Sequence, residues 1–386
     1  MGVLHAESAR ASAWVGRSAG AVWRLYDIQL TVYAALLLGI GLVMAYTNSI
    51  SGGDSALETG STFTRGLLWA ALAIVAFAAA TAFDYRWLRT FAWPLYGLNL
   101  ALLALTLVVG DGVGGAQRWI YLGPLSFQFS ELAKVIMIAV LANYLAARHD
   151  RLDSLMVILG ACLLVVPPWI LVLMQPDLGT SLVFGAILAG MLFMSGASMR
   201  WLGLLAASTI AAMPFIWSNI LRDYQKERIT AFLDPGADIQ GAGYQLYQSQ
   251  VAVGSGGILG KGLTNGTQNQ LDFLPVQETD FVFAILAEEL GLVGGIVVFA
   301  LFVLLLWRIL LVAWRSRDPF GVAFASGMAS MLLFQLVVNV GMVIGIMPIT
   351  GIPLPFVTHG GASLISLALG LGVLQSINIR QARAEW

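Results

Sequence analysis

Residues 272–295 read DFLPVQETDFVFAILAEELGLVGG, and their reading decides the fold. The stretch carries five acids (Asp272, Glu278, Asp280, Glu288 and Glu289) and no Lys or Arg, and it leads into one of the longest apolar runs of the chain. Ionisable groups are expensive in hydrocarbon, so their presence where a helix enters lipid points first to a functional site. Two questions follow: whether the apolar run crosses a membrane, and what stands opposite these acids.

Composition answers the first. Of 386 residues, 59% are hydrophobic and 11% charged, with a mean hydropathy of +0.83. Soluble domains carry roughly 25% charged residues, so the chain reads as an integral membrane protein. The 42 glycines and 12 tryptophans suit close helix packing and an interfacial aromatic belt. A net charge of −1 gives no basic footprint, and a nucleic-acid partner is not expected. The single cysteine, Cys162, excludes an internal disulfide framework and a cysteine-rich metal site. Residues 1–26 are polar and bear Arg, without an apolar core followed by a small-residue cleavage site; they are expected to form a cytoplasmic tail rather than a signal peptide.

A span needs about 20 apolar residues. Ten runs qualify, near 28–47, 66–83, 90–109, 130–147, 155–174, 179–196, 201–220, 281–307, 321–344 and 358–377. The expected fold class is an all-α polytopic membrane protein with about ten transmembrane helices. One membrane domain would cover 27–378, with a short cytoplasmic tail at 379–386. With the N-terminus inside, Arg10, Arg17, Arg24, Arg86, Arg89, Arg148, Arg151, Arg200, Arg308, Arg315, Arg317, Arg380 and Arg383 fall on the cytoplasmic side, which is 13 of the 20 Lys and Arg. Both termini are therefore expected in the cytoplasm, and a long extracytoplasmic loop, 221–279, joins spans 7 and 8. Asp111, Arg118, Glu131, Lys134, Asp177, Glu278 and Asp280 all fall at outer ends of spans or in outer loops. The site is expected on that face.

Each candidate has a plain structural reading beside a chemical one. Asp280 follows Thr279 and could sit in the first turn of a capped span. With no basic neighbour in the sequence, at a wet outer cleft, it is also a suitable general base. Glu288 and Glu289, two turns deeper, read as structural, bonded to a neighbouring helix or protonated. Glu131 and Lys134 are three apart on one helical face. They either neutralise each other, or Glu131 holds Lys134 toward a phosphate. Arg118 would clamp an anion in company with Lys134, and Trp119 beside it could equally mark the headgroup level. Asp177 follows Pro176 and could cap the sixth span. Thr358, His359, Gly360 and Gly361 stand at the outer end of the tenth, where a lone His is more often an anchor than a catalyst. Within the long loop, the spacing of Tyr244, Tyr247, Val251 and Ile258 predicts a short surface helix, and Gly-rich pieces predict turns. No GxGxxG, Walker, HExxH or GxSxG pattern occurs, so soluble-cofactor chemistry has no support.

Four stretches taken in order, GGAQRWIYLGPLSFQFSELAK, QPDLGTS, YQLYQSQVAVGSGGILGKGLTNGTQNQLDFLPVQETDFVFAILAEELG and PLPFVTHGGASL, closely resemble the SEDS family (shape, elongation, division and sporulation) over nearly the whole chain. GTQNQLDFLP is nearer the rod-shape branch than the division branch. The resemblance implies a ten-span peptidoglycan glycosyltransferase that polymerises lipid II at the outer face of the bacterial cytoplasmic membrane during elongation. It implies Asp280 as the catalytic acid of the TDF motif. Arg118, Trp119, Glu131, Lys134 and Asp177 become substrate and diphosphate contacts, joined by Glu278, Ser249, Thr358, His359 and Ser363 from the matching stretches. The sequence departs from the family at Glu278, where His is usual, at Phe129, where Pro is usual, and in THGGAS, which stands where SYGGSS is more usual.

The implied reaction is an attack by a sugar hydroxyl on an anomeric carbon with loss of a lipid diphosphate. The diphosphate leaves without protonation, so one carboxylate base suffices, with cations opposite it. A divalent cation, Mg²⁺ or Mn²⁺, could be held against the diphosphate by Asp280 or Glu278, but the sequence does not complete a ligand set. The implied partners are a class B penicillin-binding protein with a single-span transpeptidase, lipid II, the nascent glycan strand, membrane lipids and other elongation-complex proteins. Two rival classes are a lipid-linked precursor transporter, which would place its site near the midplane between repeats, and a non-catalytic scaffold, which would need no outer acids.

Overall fold

The computed structural model describes residues 26–51, 58, 60–113, 116–122, 125–234, 241–270, 280–358 and 360–381. The apolar runs become helices α1 (Ile28–Ser51), α2 (Thr62–Ala82), the short α3 (Arg86–Thr90), α4 (Ala92–Val109), α5 (Phe129–Ala146), α6 (Leu155–Met174), α7 (Leu178–Met194) and α8 (Met199–Asn219). The long loop contributes α9 (Asp223–Leu233), α10 (Ala242–Gly256) and α11 (Thr267–Gln270); α12 (Val282–Arg315), α13 (Pro319–Val343) and α14 (Gly361–Gln381) close the chain. Among the described residues nine helices are long and apolar enough to cross a membrane. The tenth expected run is α7, apolar but 17 residues long, or about 25 Å at 1.5 Å per residue.

Sequence-local signals set several helix starts. Ser61 caps α2 by accepting the Thr64 N–H, and Asp318 caps α13 by accepting the Phe320 N–H just ahead of Pro319 in the first turn. Helices α5, α13 and α14 form the buried centre. In lipid, apolar faces gain little by meeting one another, so close approach through small residues decides packing. A Cβ added at Gly327 of α13 would come within 2.7 Å of Ile138 on α5 and 2.8 Å of Met191 on α7. At the opposite end of the bundle from the cavity described below, Arg308 pairs with Asp27 at 2.7 Å, and Gln375 donates to the Asp27 carbonyl at 2.6 Å. That cluster ties the start of α1 to the far ends of α12 and α14.

Two features depart from the sequence reading. Between α4 and α5 lie three short antiparallel strands, β1 (Asp111–Val113), β2 (Ala116–Leu122) and β3 (Leu125–Phe127), in the order β1-β2-β3. The bulk of the fold is helical as expected; strands of three and seven residues give too little alternation to register in a sequence. The second departure is the long loop, which is not simply an outer connector. α12 breaks at Gly291, whose φ of 66° no helix interior accommodates, and the segment after α10 docks on the break. Lys261 and Gly262 N–H donate to the Glu288 and Glu289 carbonyls at 3.0 Å each, while Leu292 N–H donates to the Gly257 carbonyl at 3.0 Å and Val293 N–H to that of Ile258 at 3.1 Å. Irregular backbone at membrane depth is tolerated only when its polar groups are satisfied in this way. A Cβ at Gly291 would lie 2.3 Å from the Gly260 nitrogen, so the contact requires glycine.

The same junction answers one half of the opening question. Glu288, fully buried, accepts from Lys261 Nζ at 2.7 Å and from the Thr267 N–H and hydroxyl at 2.9 Å each. It is structural, as expected, but its partner is a lysine of the loop rather than a neighbouring helix. Ile258 and Leu259, at the tip beyond α10, are 69% and 81% exposed, but α10 itself is not the plain surface helix that its tyrosine spacing predicted. Its Leu246, Ser249 and Ala252 are buried.

Candidate active site

A cavity opens where the strands, the loop helix α9 and the starts of α5, α7, α12 and α14 meet. Strand β2 presents Arg118 and Trp119 to it, α5 presents Glu131, and the residue before α5 is Gln128. Asp177 and Thr180 come from the start of α7, Arg228 from α9, and Asp280 from the turn before α12. The α13–α14 connection and the first turn of α14 supply Gly351, Thr358 and Ser363.

Asp177 is the N-cap of α7, as its plain reading held. Its Oδ1 accepts the Thr180 N–H at 3.1 Å, and its Oδ2 accepts the Thr180 hydroxyl at 2.9 Å and Gln128 Nε2 at 3.0 Å. The cap thereby fixes α7 to the start of α5. Arg118 donates Nε to the Gln175 carbonyl at 3.0 Å and Nη2 to that of Pro176. Two of five guanidinium donors thus aim the side chain, and the remaining ones can serve a ligand. The Pro176 carbonyl also accepts the Tyr224 hydroxyl at 2.5 Å, which fastens α9 to the same turn.

Asp280 does not cap α12. The N-cap position is Phe281, and no acid lies in the first turn. Its backbone is held instead by Asn339 of α13, whose Nδ2 reaches the Asp280 carbonyl at 3.0 Å and the Ile352 carbonyl at 2.8 Å. Nor is Asp280 remote from basic groups in space. A Cβ added at Gly351 would lie 3.4 Å from Asp280 Oδ2 and 3.6 Å from Arg228 Nη1, so the carboxylate and the guanidinium share one small space. The expectation of an acid without a basic neighbour held along the sequence and fails in three dimensions, because α9 folds back over the cavity.

Lys134 stands behind the wall. Its Nζ meets Glu131 Oε1 at 2.7 Å, with the two side chains 2% and 5% exposed, and only Glu131 reaches the cavity. Oε2 of Glu131 is buried with no hydrogen-bond partner among the described residues. Ser249 is away from the cavity: fully buried on α10, its hydroxyl lies 2.8 Å from the Leu246 carbonyl and 3.1 Å from that of Val343. Glu278, Thr279 and His359 lie outside the described residues. Of the sequence candidates, Arg118, Trp119, Glu131, Asp177, Asp280, Thr358 and Ser363 converge on the cavity. Arg228, Gln128, Thr180 and Asn339 were missed; the one local hint is Tyr224 four residues before Arg228, on one face of α9.

Among the described residues no group of three or more His, Cys, Asp or Glu could hold a metal ion. Asp177 spends its oxygens on Gln128 and Thr180, and Glu131 gives one of its own to Lys134. The described carboxylates do not compose a resident metal site.

Fold and cavity together define a class: a multi-pass helical membrane protein with a carboxylate and two arginines gathered at one end of its bundle. The chain belongs to the FtsW/RodA/SpoVE family, described as cell cycle protein, whose model matches residues 28–383. It is 39% identical over 352 residues to the peptidoglycan glycosyltransferase MrdB of Escherichia coli K12, covering 91% of each chain. It is 36% identical over 359 residues to stage V sporulation protein E of Bacillus subtilis, covering 91% of this chain and 96% of that one. Among solved structures, one described as a peptidoglycan synthase complex coordinating polymerization and crosslinking matches with a TM-score of 0.77 at 33% identity, over 92% of this chain and 98% of that one. The rod shape determining protein RodA of Thermus thermophilus matches with a TM-score of 0.67 at 30% identity, over 92% and 97%.

Proposed function

We propose that this chain is a peptidoglycan glycosyltransferase that polymerises lipid II into glycan strands during cell elongation. The names of its relatives support the activity. The observation that carries the mechanism is the single cavity faced by Asp280, Arg118 and Arg228. Asp280 takes the proton from the attacking sugar hydroxyl, and the anomeric carbon inverts as the lipid diphosphate departs. Arg118, aimed by two carbonyls, and Arg228, carried by α9, stabilise the negative charge that grows on the leaving group. Lys134 keeps Glu131 in place.

The cavity is proposed to face the outside of the bacterial cytoplasmic membrane, with both termini in the cytoplasm. A class B penicillin-binding protein is the proposed partner, acting on the arm formed by α8 and α9 rather than adding residues to the reaction. The test is polymerisation of lipid II by the purified full chain. Asp280→Asn should leave a folded protein and cut the rate by at least about 10²-fold, the contribution typical of a general base. A near wild-type rate for that variant would remove Asp280 from the chemistry.

A further inference from the structure

Asn339 is fully buried near the cavity end of α13, a helix long and apolar enough to cross a membrane. A polar group there is costly and points to a role beyond packing. Its two amide donors leave α13 altogether. One goes to the Asp280 carbonyl at 3.0 Å, 59 residues away in the chain, and the other to the Ile352 carbonyl at 2.8 Å. An amide nitrogen has two N–H groups, and these acceptors use both. They also fix which way the amide points, since its oxygen cannot face two carbonyls. Oδ1 is left buried, with no hydrogen-bond partner among the described residues. A buried orphan oxygen costs stability, and a leucine would fill nearly the same space without it. Packing alone would not select an asparagine here.

The two carbonyls belong to separate lips of the cavity. Asp280 precedes α12, and Gly351, next to Ile352, lies in the α13–α14 connection; both line the cavity, with Asn339 behind them. Phe281 and Ile352 are each 1% exposed, so both lips are seated in the core beside the bonds that join them. Gly351 turns with φ 70°, and the space over its Cα is the one shared by Asp280 Oδ2 and Arg228 Nη1. The amide therefore ties together the backbone on either side of the space in which carboxylate and guanidinium meet.

We propose that Asn339 is a positioning residue, whose amide holds the two lips together and thereby sets the spacing between the Asp280 carboxylate and the Arg228 guanidinium. The inference rests on the functional reading above, in which Asp280 is the base. Asn339 touches neither substrate nor reacting atoms and acts through Asp280 and Gly351. A structural role alone predicts lost stability. A positioning role predicts lost turnover as well, because a misplacement of about 1 Å can cost about 10²-fold in rate.

The experiment uses the purified full chain and lipid II. Asn339→Leu removes both bonds at nearly constant volume, and it should lower kcat about tenfold or more with KM within about twofold. Leu336→Ala, a truncation at a 2% exposed position one turn earlier on α13, is the stability control: it should lower the melting temperature at least as far and leave kcat unchanged. A second arm combines Asn339→Leu with Arg228→Ala. Both act on one spacing, so their losses should not multiply, and the double variant should stay within about threefold of the slower single one. Gly351→Ala reaches the same bonds from the other lip, since alanine disfavours a φ of 70°; it should reproduce the kcat loss even if Asn339→Leu does not fold. A third arm needs no activity. Hydrogen exchange at 281–284 and 351–354 should quicken about fivefold or more in Asn339→Leu and stay as in the wild type in Leu336→Ala. Losses that multiply, a kcat loss in Leu336→Ala equal to that in Asn339→Leu, a normal kcat in Gly351→Ala or unchanged exchange in Asn339→Leu overturns the assignment. If exchange quickens as expected but the wild-type chain does not polymerise lipid II, the functional reading fails and the tie between the lips stands.

Discussion

Helices α8 and α13 would both cross a membrane by length and composition. None of the 21 residues of α8 is buried, while most of the 25 residues of α13 are. Apolarity explains both, because lipid accepts an exposed leucine as readily as a neighbouring helix does. What separates them is small-residue contact and buried polar bonds, which α13 has through Gly327 and Asn339. The difference matters for the cavity. Asp280 and Arg118 rest on the packed block, the first through Asn339 and the second through the carbonyls that end α6. Arg228 rides on α9, which follows directly from the loosely held α8. One wall is therefore fixed, and the facing cation is mounted on an arm.

The largest effect that could break this comparison belongs to Lys134→Met. It strands Glu131 inside the packed block, and breaking a buried ion pair costs about 3–5 kcal/mol, so thermal denaturation should occur far below the wild-type temperature. If Glu131 instead holds Lys134 toward a phosphate, the same variant loses turnover with only a modest melting shift. That result would return Lys134 to the substrate. Next come paired truncations. Leu332→Ala on α13, fully buried, should destabilise by about 2–5 kcal/mol, whereas Leu204→Ala on α8, 54% exposed, should stay within about 0.5 kcal/mol. Equal losses in a denaturation series would show that α8 is packed after all.

Arg228→Ala should slow lipid II polymerisation about tenfold, near 1.4 kcal/mol of transition-state stabilisation, with the melting temperature unchanged. The smallest effect is expected for Tyr224→Phe. It removes the hydroxyl bond to Pro176, worth about 1 kcal/mol, and should lower the rate a few-fold while leaving affinity for added diphosphate intact. A Tyr224→Phe defect as large as that of Arg228→Ala would mean that the arm's position, not its charge, limits the reaction.

The spans were legible because hydrocarbon imposes a length and a composition that no tertiary contact can waive. Asp280, Arg118 and Asp177 were legible because each sits in a compact ordered motif. Arg228 was not, since three basic residues of one short segment look alike until α9 folds and one of them meets Gly351. The pairing of Glu288 with Lys261 escaped for the same reason: its partners are 27 residues apart, and only the break at Gly291 brings them together. Ser249 was drawn into the site by its neighbours in sequence, but the inner face of α10 carries it to Val343 instead. Sequence reported what each segment must avoid, which is water or lipid, and was silent on which distant group would satisfy it.

The Lys261–Glu288 bond also bears on how the protein is made. A chain that enters the membrane from its N-terminal side exposes Lys261 27 residues before Glu288. A charged side chain carried alone to the centre of an inserting helix costs about 2.5–3.5 kcal/mol. Here the ammonium, the Thr267 hydroxyl and two backbone N–H groups are already synthesised when the carboxylate arrives. The partners that neutralise Glu288 thus all precede it in the chain, and its charge has a ready acceptor site from the moment the helix is complete.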